Sequence, residues 1–290
     1  MRQLRVLLAC ECSGRVRDEF AKRGWEAWSA DILPSETPAR LMLYADGKKV
    51  QAVPGRGGHY VGDVRDLFDW YHPANRERHS AQVTMQEAPP LWDLVIAFPP
   101  CTDLSYAGNR WRAEKRADGR EDAGAALFMD MIDAPSPMVA VENPRGVMFT
   151  RYRKPDQQIQ PWWFGDPFKK TTCLWLKGLP LLKPECEEPA ELATGVSGDL
   201  KGYKLHQTVT SGSTQASNPE PGFDFNGRKH YEDSEGRVNR AKVRSRTFPG
   251  VARAFAEQWG SFAEDYYAGN CLDMRDVMDG HGCRVLRPED

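Results

Sequence analysis

Short apolar runs recur along the chain, and their lengths are typical of strands buried on both faces of a sheet. They lie at residues 4–9, 26–30, 59–64, 94–98, 138–141 and 172–176. Helical patterns alternate with these runs after Gly14, at 123–132 and at 248–267. This alternation predicts an α/β fold with a mixed, mostly parallel sheet and helices on both faces.

The stretch at residues 93–105 reads DLVIAFPPCTDLS and is the centre of the prediction. Pro99 and Pro100 end its strand, because a proline lacks an N–H group and restricts the residue before it. Cys101 then follows the carboxyl end of a buried strand, where ligands bind in open α/β sheets. Its thiol is a candidate nucleophile, and a packing cysteine is the alternative interpretation.

Two acids also follow predicted strands. Asp31 closes a strand–turn–helix–strand unit whose turn is Ser13-Gly14. This layout binds nucleosides, because the turn leaves room for the ligand and the acid accepts hydrogen bonds from ribose hydroxyls. Asp63 follows the next predicted strand in the same way. A solvated loop acid is the alternative for Asp31.

Glu142 follows the apolar run at 138–141. A carboxylate at the end of a buried strand is costly unless it is hydrogen-bonded or used in chemistry. Strand order predicts that it lies beside Cys101, so two reactive groups are expected at one place.

Basic residues are concentrated in two segments. Residues 110–120 contain five basic and two acidic residues, with Tyr106 and Trp111 nearby, and residues 201–253 contain ten basic and five acidic residues. The first segment predicts a mobile loop that closes over a phosphate backbone and stacks on bases, with a solvated helix face as the alternative. Residues 33–58 are predicted to be a loop that caps the site.

Composition narrows the class of protein. The 290 residues are 40% hydrophobic and 28% charged, which is ordinary for a globular protein. Because the net charge is only −2, a polyanion would have to bind a local basic patch and not an overall positive field. The seven cysteines include no CxxC pair, which predicts a reducing compartment and no metal site. No signal peptide or membrane span is expected, and the prediction is a cytoplasmic protein.

The order of these features resembles that of the cytosine carbon-5 DNA methyltransferases, in particular a short phage-type branch. The family's nucleophile block is similar to FPPCTDLSYAGNRW at residues 98–111, and its Glu-Asn block to ENPRG at 142–146. Its first block resembles ACECSGRVRDEF at 9–20, and its two late blocks resemble FGDPFKKTTCLWL at 164–176 and RTFPGVARAFAEQW at 246–259. The order is kept from about residue 6 to residue 260.

Several positions depart from the family pattern. Thr102 stands where the family has Gln, and Pro144 where it has Val. In the Gln-x-Arg-x-Arg block, Phe168, Lys170 and Thr172 replace the three named residues. Lys170 supplies a point charge and not a bidentate fork. The late Asn is also absent, so the departures concern target handling more than chemistry.

The resemblance implies a Rossmann-like methyltransferase fold, S-adenosylmethionine as cofactor, and DNA as partner. It also implies that the cytoplasm is that of a bacterial cell or a phage-infected host. It implies that Cys101 adds to the cytosine ring, that Glu142 bonds or protonates ring nitrogen 3, and that Lys170 adds positive charge. The residues implied to bind the cofactor are Cys12, Ser13, Gly14, Asp31, Ile32, Asp63, Val64, Pro99 and Pro100. The residues expected at nucleic acid are Ser105, Asn109, Arg110, Arg112, Lys115, Arg145, Lys169, Arg244 and Arg246.

We expect a catalytic domain at 1–178, a small target-recognition segment at 179–243, a C-terminal helix at 244–268 that returns to the catalytic domain, and a tail at 269–290. No membrane and no obligate protein partner are expected. The short recognition segment leaves two alternatives open, a carbon-5 enzyme acting on free pyrimidine nucleotides and a catalytically degenerate DNA-binding protein. An amino-methyltransferase is less favoured, because Phe98 and Cys101 flank the two prolines where those enzymes have a polar residue and an aromatic one.

Overall fold

The computed structural model describes residues 3–37, 40–43, 49–53, 55–69, 91–166, 168–186, 206–207 and 246–270. Its strands are β1 (Arg5–Ala9), β2 (Glu26–Asp31), β3 (Arg40–Leu43), β4 (Lys49–Ala52), β5 (Gly57–Val61), β6 (Leu94–Ala97), β7 (Val139–Asn143), β8 (Gln157–Ile159), β9 (Phe168–Lys169), β10 (Thr172–Lys177) and β11 (His206–Gln207). Its α-helices are α1 (Arg15–Lys22), α2 (Arg112–Ala117), α3 (Arg120–Ile132), α4 (Met148–Arg151), α5 (Pro249–Ala254) and α6 (Gly260–Tyr267). Short 3₁₀ helices lie at Val64–Phe68, Tyr106–Trp111 and Pro161–Phe164, and a π-helical turn at Phe255–Trp259 joins α5 to α6.

Nine of these strands form one mixed sheet in the order β3-β4-β5-β2-β1-β6-β7-β10-β8. The five strands from β5 to β7 pair in parallel, and β10 runs antiparallel to both β7 and β8. The chain builds outward from β1 to β2 and β5, then returns to the other side of β1 to form β6. The carboxyl ends of β1 and β6 therefore border the topological switch point, where open α/β sheets bind ligands.

The two faces of the sheet have separate cores. Val6 and Leu8 of β1 pack in the cluster that includes Phe20 of α1 and residues of α5 and α6. Leu7, on the opposite face, packs in the cluster that includes Phe128 of α3. Alternate residues of one strand thus bury apolar area on both sides, which is why the run is almost uniformly hydrophobic. The predicted α/β class, with a mixed, mostly parallel sheet and helices on both faces, is confirmed.

Three predicted elements differ from the structure. Residues 33–58, predicted to be a loop, contain β3 and β4, which add an antiparallel hairpin to the edge strand β5. Residues 110–120 contain helix α2, which agrees with the alternative of a helix face and not with the predicted mobile loop. The predicted helix at 248–267 is interrupted by its π-helical turn. The hairpin escaped prediction because its strands are short and are defined by pairing with β5, a contact that local patterns do not report.

Candidate active site

The loop after β6 carries Cys101 out of the sheet. Phe98 continues the pairing with β1, because its N–H donates to the Ala9 carbonyl at 2.9 Å. Pro99 is buried, whereas Pro100 and Cys101 are exposed. The two prolines thus end the strand as predicted and leave Cys101 exposed next to the switch point, where open α/β sheets have their ligand crevice.

Cys101 begins a tight turn that is fastened to the loop after β7. The Cys101 carbonyl accepts hydrogen bonds from the N–H groups of Leu104 and Ser105, at 3.1 and 2.8 Å. Ser105 forms a β-bridge with Gly146, and the N–H of Val147 donates to the Leu104 carbonyl at 2.8 Å. A Cβ atom on Gly146 would lie 2.1 Å from that carbonyl oxygen, so only glycine allows this approach.

Two further hydrogen bonds join the same loops. The Asn143 side-chain amide donates to the Pro99 carbonyl at 2.8 Å. The N–H of Tyr106 donates to the Arg145 carbonyl at 3.1 Å. Residues 98–106 and 143–147, called the paired loops below, therefore form one hydrogen-bonded unit. The loops that follow Cys101 and Glu142 are thus brought together.

Glu142 lies on β7 one residue before its end and is half-buried. It pairs in register with Leu174 of β10, and strand alternation directs its side chain to the same face as Ala140. Burial raises the pKa of Glu142 above its usual range, and the positive charge of Lys170 opposes that shift. The Lys170 ammonium also lies 5.7 Å from the centre of the Phe248 ring. A carboxyl group with a raised pKa and a lysine are therefore neighbours at this end of the sheet.

Cys101 differs from two other thiols near the crevice. Burial raises the pKa of Cys10 to about 12, with further repulsion from Asp31 and Asp63. Burial also raises the pKa of Cys173 to about 12. A thiolate is the reactive form of cysteine, so neither of these buried thiols is suited to nucleophilic chemistry near neutral pH. Cys101 is exposed, as a nucleophile has to be.

The loop after β1 contains a buried acid that sequence reasoning missed. Glu11 is 5% exposed, and its N–H donates to the Ala30 carbonyl at 3.0 Å. The Ser13 hydroxyl donates to Glu11 Oε1, whereas Glu11 Oε2 has no hydrogen-bond partner among the described residues. Burial raises the pKa of Glu11 above its usual range. Cys12 is half-buried, and its carbonyl accepts from the N–H of Glu36 at 2.8 Å. The position of Glu11 directly after the first strand was the available signal.

Gly14 turns the chain into α1. Its φ of 77° lies in the left-handed region, and a Cβ atom would lie 2.4 Å from the Arg17 guanidinium and 2.6 Å from the Thr37 hydroxyl. The predicted small-residue turn is therefore required by backbone conformation and by the close approach of Arg17. The turn is also linked to the C-terminal segment, because the Arg15 guanidinium donates to the Thr247 carbonyl at 3.0 Å.

The predicted ribose acid ends β2 beside the crevice. Asp31 is half-buried, and its carboxylate accepts a hydrogen bond from the N–H of Leu33 at 2.9 Å. Ile32 is 78% exposed and Leu33 is 48% exposed. An acid followed by two exposed apolar side chains is suited to a nucleoside, with hydroxyls on the acid and a base against hydrocarbon.

Asp63, the second acid predicted to bind the cofactor, is ion-paired with Arg65. Asp63 binds the Arg65 guanidinium at 2.9 Å and accepts the Arg65 N–H at 3.0 Å. Its hydrogen bonds with Arg65 hold the pKa of Asp63 below its ordinary value. Val64, predicted to contact the cofactor, is 4% exposed and packs in the core, so its side chain is not offered to the crevice. Position after a strand does not report this ion pairing, and the assignment of Asp63 to the cofactor stays a prediction.

A buried series of hydrogen-bonded side chains supports the loop that follows Asp31. Arg17 donates to the Ser29 hydroxyl at 3.0 Å, and Ser29 lies 2.8 Å from Nδ1 of His59. His59 Nε2 lies 2.9 Å from the Leu33 carbonyl, which can only accept. His59 is therefore protonated on Nε2 and accepts the Ser29 proton on Nδ1. Burial lowers the pKa of His59 to about 4, so this chain stays neutral at the ring across the physiological range.

Two cations predicted to contact DNA, Arg246 and Lys115, are buried in contacts inside the protein, which corrects their assignment, whereas the third, Arg112, is ion-paired but 34% exposed, so its assignment stays a prediction. Arg246 forms an ion pair with Glu36 at 2.7 Å, and their side chains are 8% and 10% exposed. Lys115 is buried and donates to the Thr102 carbonyl. Arg112 binds the fully buried Glu121 at 3.0 Å.

Other predicted contacts lie at the surface near the paired loops. Arg110 is exposed and lies 5.1 Å above the Trp111 ring, which is 51% exposed. Arg145 is exposed and lies 5.8 Å from the Phe149 ring. Tyr106 is 39% exposed. Ser105 is half-buried in its bridge to the loop after β7.

Some predictions fall outside what the structure describes. Arg244 lies outside the described residues, as do nearly all of 187–245 and the whole of 271–290. For Asn109 and Lys169 only the backbone is described. The predictions for these three residues and for a recognition segment at 179–243 stay predictions.

Comparison with known proteins adds little to what the sheet topology shows. No protein-family model and no curated protein sequence matches this chain. Among solved structures, the chain is similar to an E. coli protein assigned as a DNA modification methyltransferase encoded within a prophage, with 15% identity and a TM-score of 0.35. The match covers 60% of this chain and 46% of that protein, which is less than half of its length.

The described residues lack the features of two other classes of site. They contain no helix with the length and apolar character needed to cross a membrane. They also contain no group of three or more His, Cys, Asp or Glu side chains arranged to hold a metal ion.

Proposed function

We propose that the protein transfers a methyl group from S-adenosylmethionine to carbon 5 of cytosine in DNA through a covalent Cys101 adduct. The observation that carries the proposal is the hydrogen-bonded pair of loops, which joins an exposed thiol turn to the end of the strand that bears Glu142. Both groups lie at the carboxyl ends of adjacent parallel strands, next to the switch point beside β1.

The Cys101 thiol would make carbon 5 of cytosine nucleophilic enough to react. Carbon 5 of cytosine is too weak a nucleophile to attack an electrophilic methyl group directly. Addition of the Cys101 thiolate to carbon 6 forms a sulfur–carbon bond and moves the ring double-bond electrons toward carbon 5. Carbon 5 then takes the methyl group, loses its proton to a base such as water, and the ring double bond reforms as the Cys101 thiolate departs.

Glu142 has the properties that this addition requires. Negative charge develops on the pyrimidine ring as the thiolate adds, and a proton donor at ring nitrogen 3 disperses it. Because burial raises the pKa of Glu142, the carboxyl group keeps its proton closer to neutral pH than an ordinary glutamate does. Lys170 adds positive charge on the same side of the ring.

The residues around the switch point fit S-adenosylmethionine. When bound, this cofactor supplies an electrophilic methyl group and leaves as a neutral thioether. Glu11 Oε2, buried and without a hydrogen-bond partner among the described residues, fits the amino group of the cofactor's amino-acid end. Asp31 fits the ribose hydroxyls, and Ile32 and Leu33 supply apolar area for the adenine. Pro99 would form the floor between cofactor and thiol.

DNA is proposed to approach over the paired loops. Arg110 and Arg145 supply exposed positive charge, and Tyr106 and Trp111 supply exposed rings on which bases stack. A cytosine within a duplex has to be flipped out of the stack, which costs a few kcal/mol. Contacts from these four side chains would offset that cost.

The test is nucleoside analysis of the product. The protein is incubated with S-adenosylmethionine and, separately, duplex DNA, single-stranded DNA and dCMP, and the products are digested and identified by mass spectrometry. We expect 5-methyldeoxycytidine from DNA, its loss in Cys101→Ala, and its retention in the matched control Cys186→Ala. Methyl groups on an exocyclic nitrogen, or activity in Cys101→Ala equal to wild type, would reject the proposal. Methylation of dCMP alone would support the nucleotide-level alternative.

A further inference from the structure

Lys115 is a buried lysine in the basic segment at residues 110–120, which was expected to contact a phosphate backbone. Its side chain is 8% exposed, although it lies on a helix between exposed residues. Its ammonium donates to the Thr102 carbonyl and lies 3.2 Å from an Asp103 carboxylate oxygen. Both partners belong to the turn that begins at Cys101. A buried ammonium requires such partners, and it is not available to solvent or to a phosphate.

The helix that carries Lys115 is held on its other side by a buried carboxylate. Glu121 of α3 is fully buried and is surrounded by three guanidinium groups. Arg112 and Arg116 of α2 lie 3.0 and 3.4 Å from it, and Arg151 of α4 lies 3.2 Å from it. Because α4 follows the loop after β7, Glu121 connects α2 to the loop that begins beside Glu142.

These contacts close a ring around the paired loops. The Cys101 turn is bound to α2 through Lys115, α2 is bound to α3 through Glu121, and Glu121 is bound to α4 through Arg151. The paired loops complete the ring through their direct hydrogen bonds. Every connection in it is a charge-assisted hydrogen bond, an ion pair or a backbone hydrogen bond, so it resists shifts of one loop against the other.

We propose that Lys115 is a positioning residue that fixes the Cys101 turn relative to Glu142. The proposal rests on the proposed function for its catalytic consequence, although the positioning itself does not depend on any cofactor or DNA. Lys115 binds the turn through the Thr102 carbonyl and the Asp103 carboxylate. Because α2 is also bound to Glu121, the position of Glu121 helps to fix the position of Lys115.

The first test measures the turn in the protein alone. Amide hydrogen exchange is followed by mass spectrometry for the peptide that contains Leu104 and Ser105, whose N–H groups bond the Cys101 carbonyl. In Lys115→Met we expect their exchange to quicken about tenfold, the factor set by one lost hydrogen bond to a charged group. Lys115→Arg should restore much of the protection. The matched control Lys22→Met removes an exposed charge on α1 and should exchange as wild type.

The second test separates positioning from phosphate contact and from a purely structural role. In Lys115→Met we expect kcat for methyl transfer to fall about tenfold, with KM for DNA and for S-adenosylmethionine unchanged and with rescue in Lys115→Arg. The salt dependence of DNA binding should keep its slope. A slope smaller by about 1 would make Lys115 a phosphate contact and overturn the proposal.

Two further results would also overturn it. One is unchanged exchange of Leu104 and Ser105 in Lys115→Met. The other is faster exchange with kcat unchanged in an active enzyme. If Lys115→Met does not fold, Asp103→Asn removes the ion pair while keeping the Thr102 hydrogen bond, and it should give a smaller change in the same direction. Because exchange is measured without cofactor or DNA, an absence of methyl transfer in the wild type would reject the proposed function and leave the positioning result readable.

Discussion

Asp166 gives a pH dependence that can be worked out from the structure. It is 8% exposed, and its carboxylate accepts the N–H of Gly250 at 2.9 Å, at the start of α5. Burial raises the pKa of Asp166 from 3.8 to about 7, against the lowering effect of the Gly250 and Val251 N–H groups and of Arg253 and Arg15. The buried cap of this helix is therefore protonated over much of the acidic range.

The direction of the effect follows from proton binding. Between pH 4 and pH 7 the folded chain keeps a proton on Asp166 that the unfolded chain releases. Folding therefore takes up a proton, and the free energy of unfolding falls as the pH rises through this window. A pKa that rises from 3.8 to about 7 corresponds to a loss of about 4 kcal/mol, most of it complete by pH 7.

The perturbation is Asp166→Asn, which keeps an acceptor for the Gly250 N–H and removes the ionisation. We expect its free energy of unfolding, measured by urea titration at pH 5 and pH 8, to lose about 2 to 3 kcal/mol less than the wild type over that interval, the share of the total that falls above pH 5. Asp265→Asn, an exposed position on α6, is the control and should follow the wild type. Parallel wild-type and Asp166→Asn curves would refute the reasoning.

Three other substitutions test separate parts of the account. Glu142→Gln should lower methyl transfer about 10²- to 10⁴-fold with cofactor affinity unchanged by calorimetry, and an unchanged rate would remove Glu142 from the chemistry. Arg246→Met should cost about 3 to 5 kcal/mol by urea unfolding, because it leaves Glu36 buried without its ion-pair partner, and should leave the salt slope of DNA binding intact. A loss of affinity with wild-type stability would return Arg246 to the DNA surface. Gly146→Ala should cost about 1 to 3 kcal/mol and lower activity, since its Cβ atom would lie 2.1 Å from the Leu104 carbonyl oxygen, and a stable, active variant would show that the paired loops tolerate separation.

The strands that form the sheet's centre could be predicted because their signal is local. β1, β6 and β7 bury both faces, so each is a nearly continuous apolar run, and the two prolines mark where β6 ends. Once those strands are placed, the neighbouring positions of the loops after β6 and β7 follow from the parallel topology. The β3–β4 hairpin could not be predicted in this way, because its strands are defined by their pairing with the edge strand β5.

The fates of individual charges could not be predicted from composition. Lys115 and Arg246 belong to basic segments that read as phosphate-binding, yet each is buried against a carboxylate that is distant in sequence or on another element. Glu11 presents the opposite case, because it is a buried acid whose position after the first strand was the one local sign of its burial. Whether a charged side chain is solvated or ion-paired depends on its neighbours in the tertiary structure. Hydrophobic periodicity in the sequence does not predict those neighbours.

The measurement that tests the central claim most directly uses duplex DNA containing 5-fluorodeoxycytidine together with S-adenosylmethionine. The fluorine on carbon 5 cannot leave as a proton, so the adduct formed after methyl transfer cannot break down. We predict a protein–DNA complex that survives denaturation, carries one methyl group and maps to the peptide containing Cys101. Failure to form that complex while ordinary DNA is methylated, or its formation in Cys101→Ala, would contradict the account.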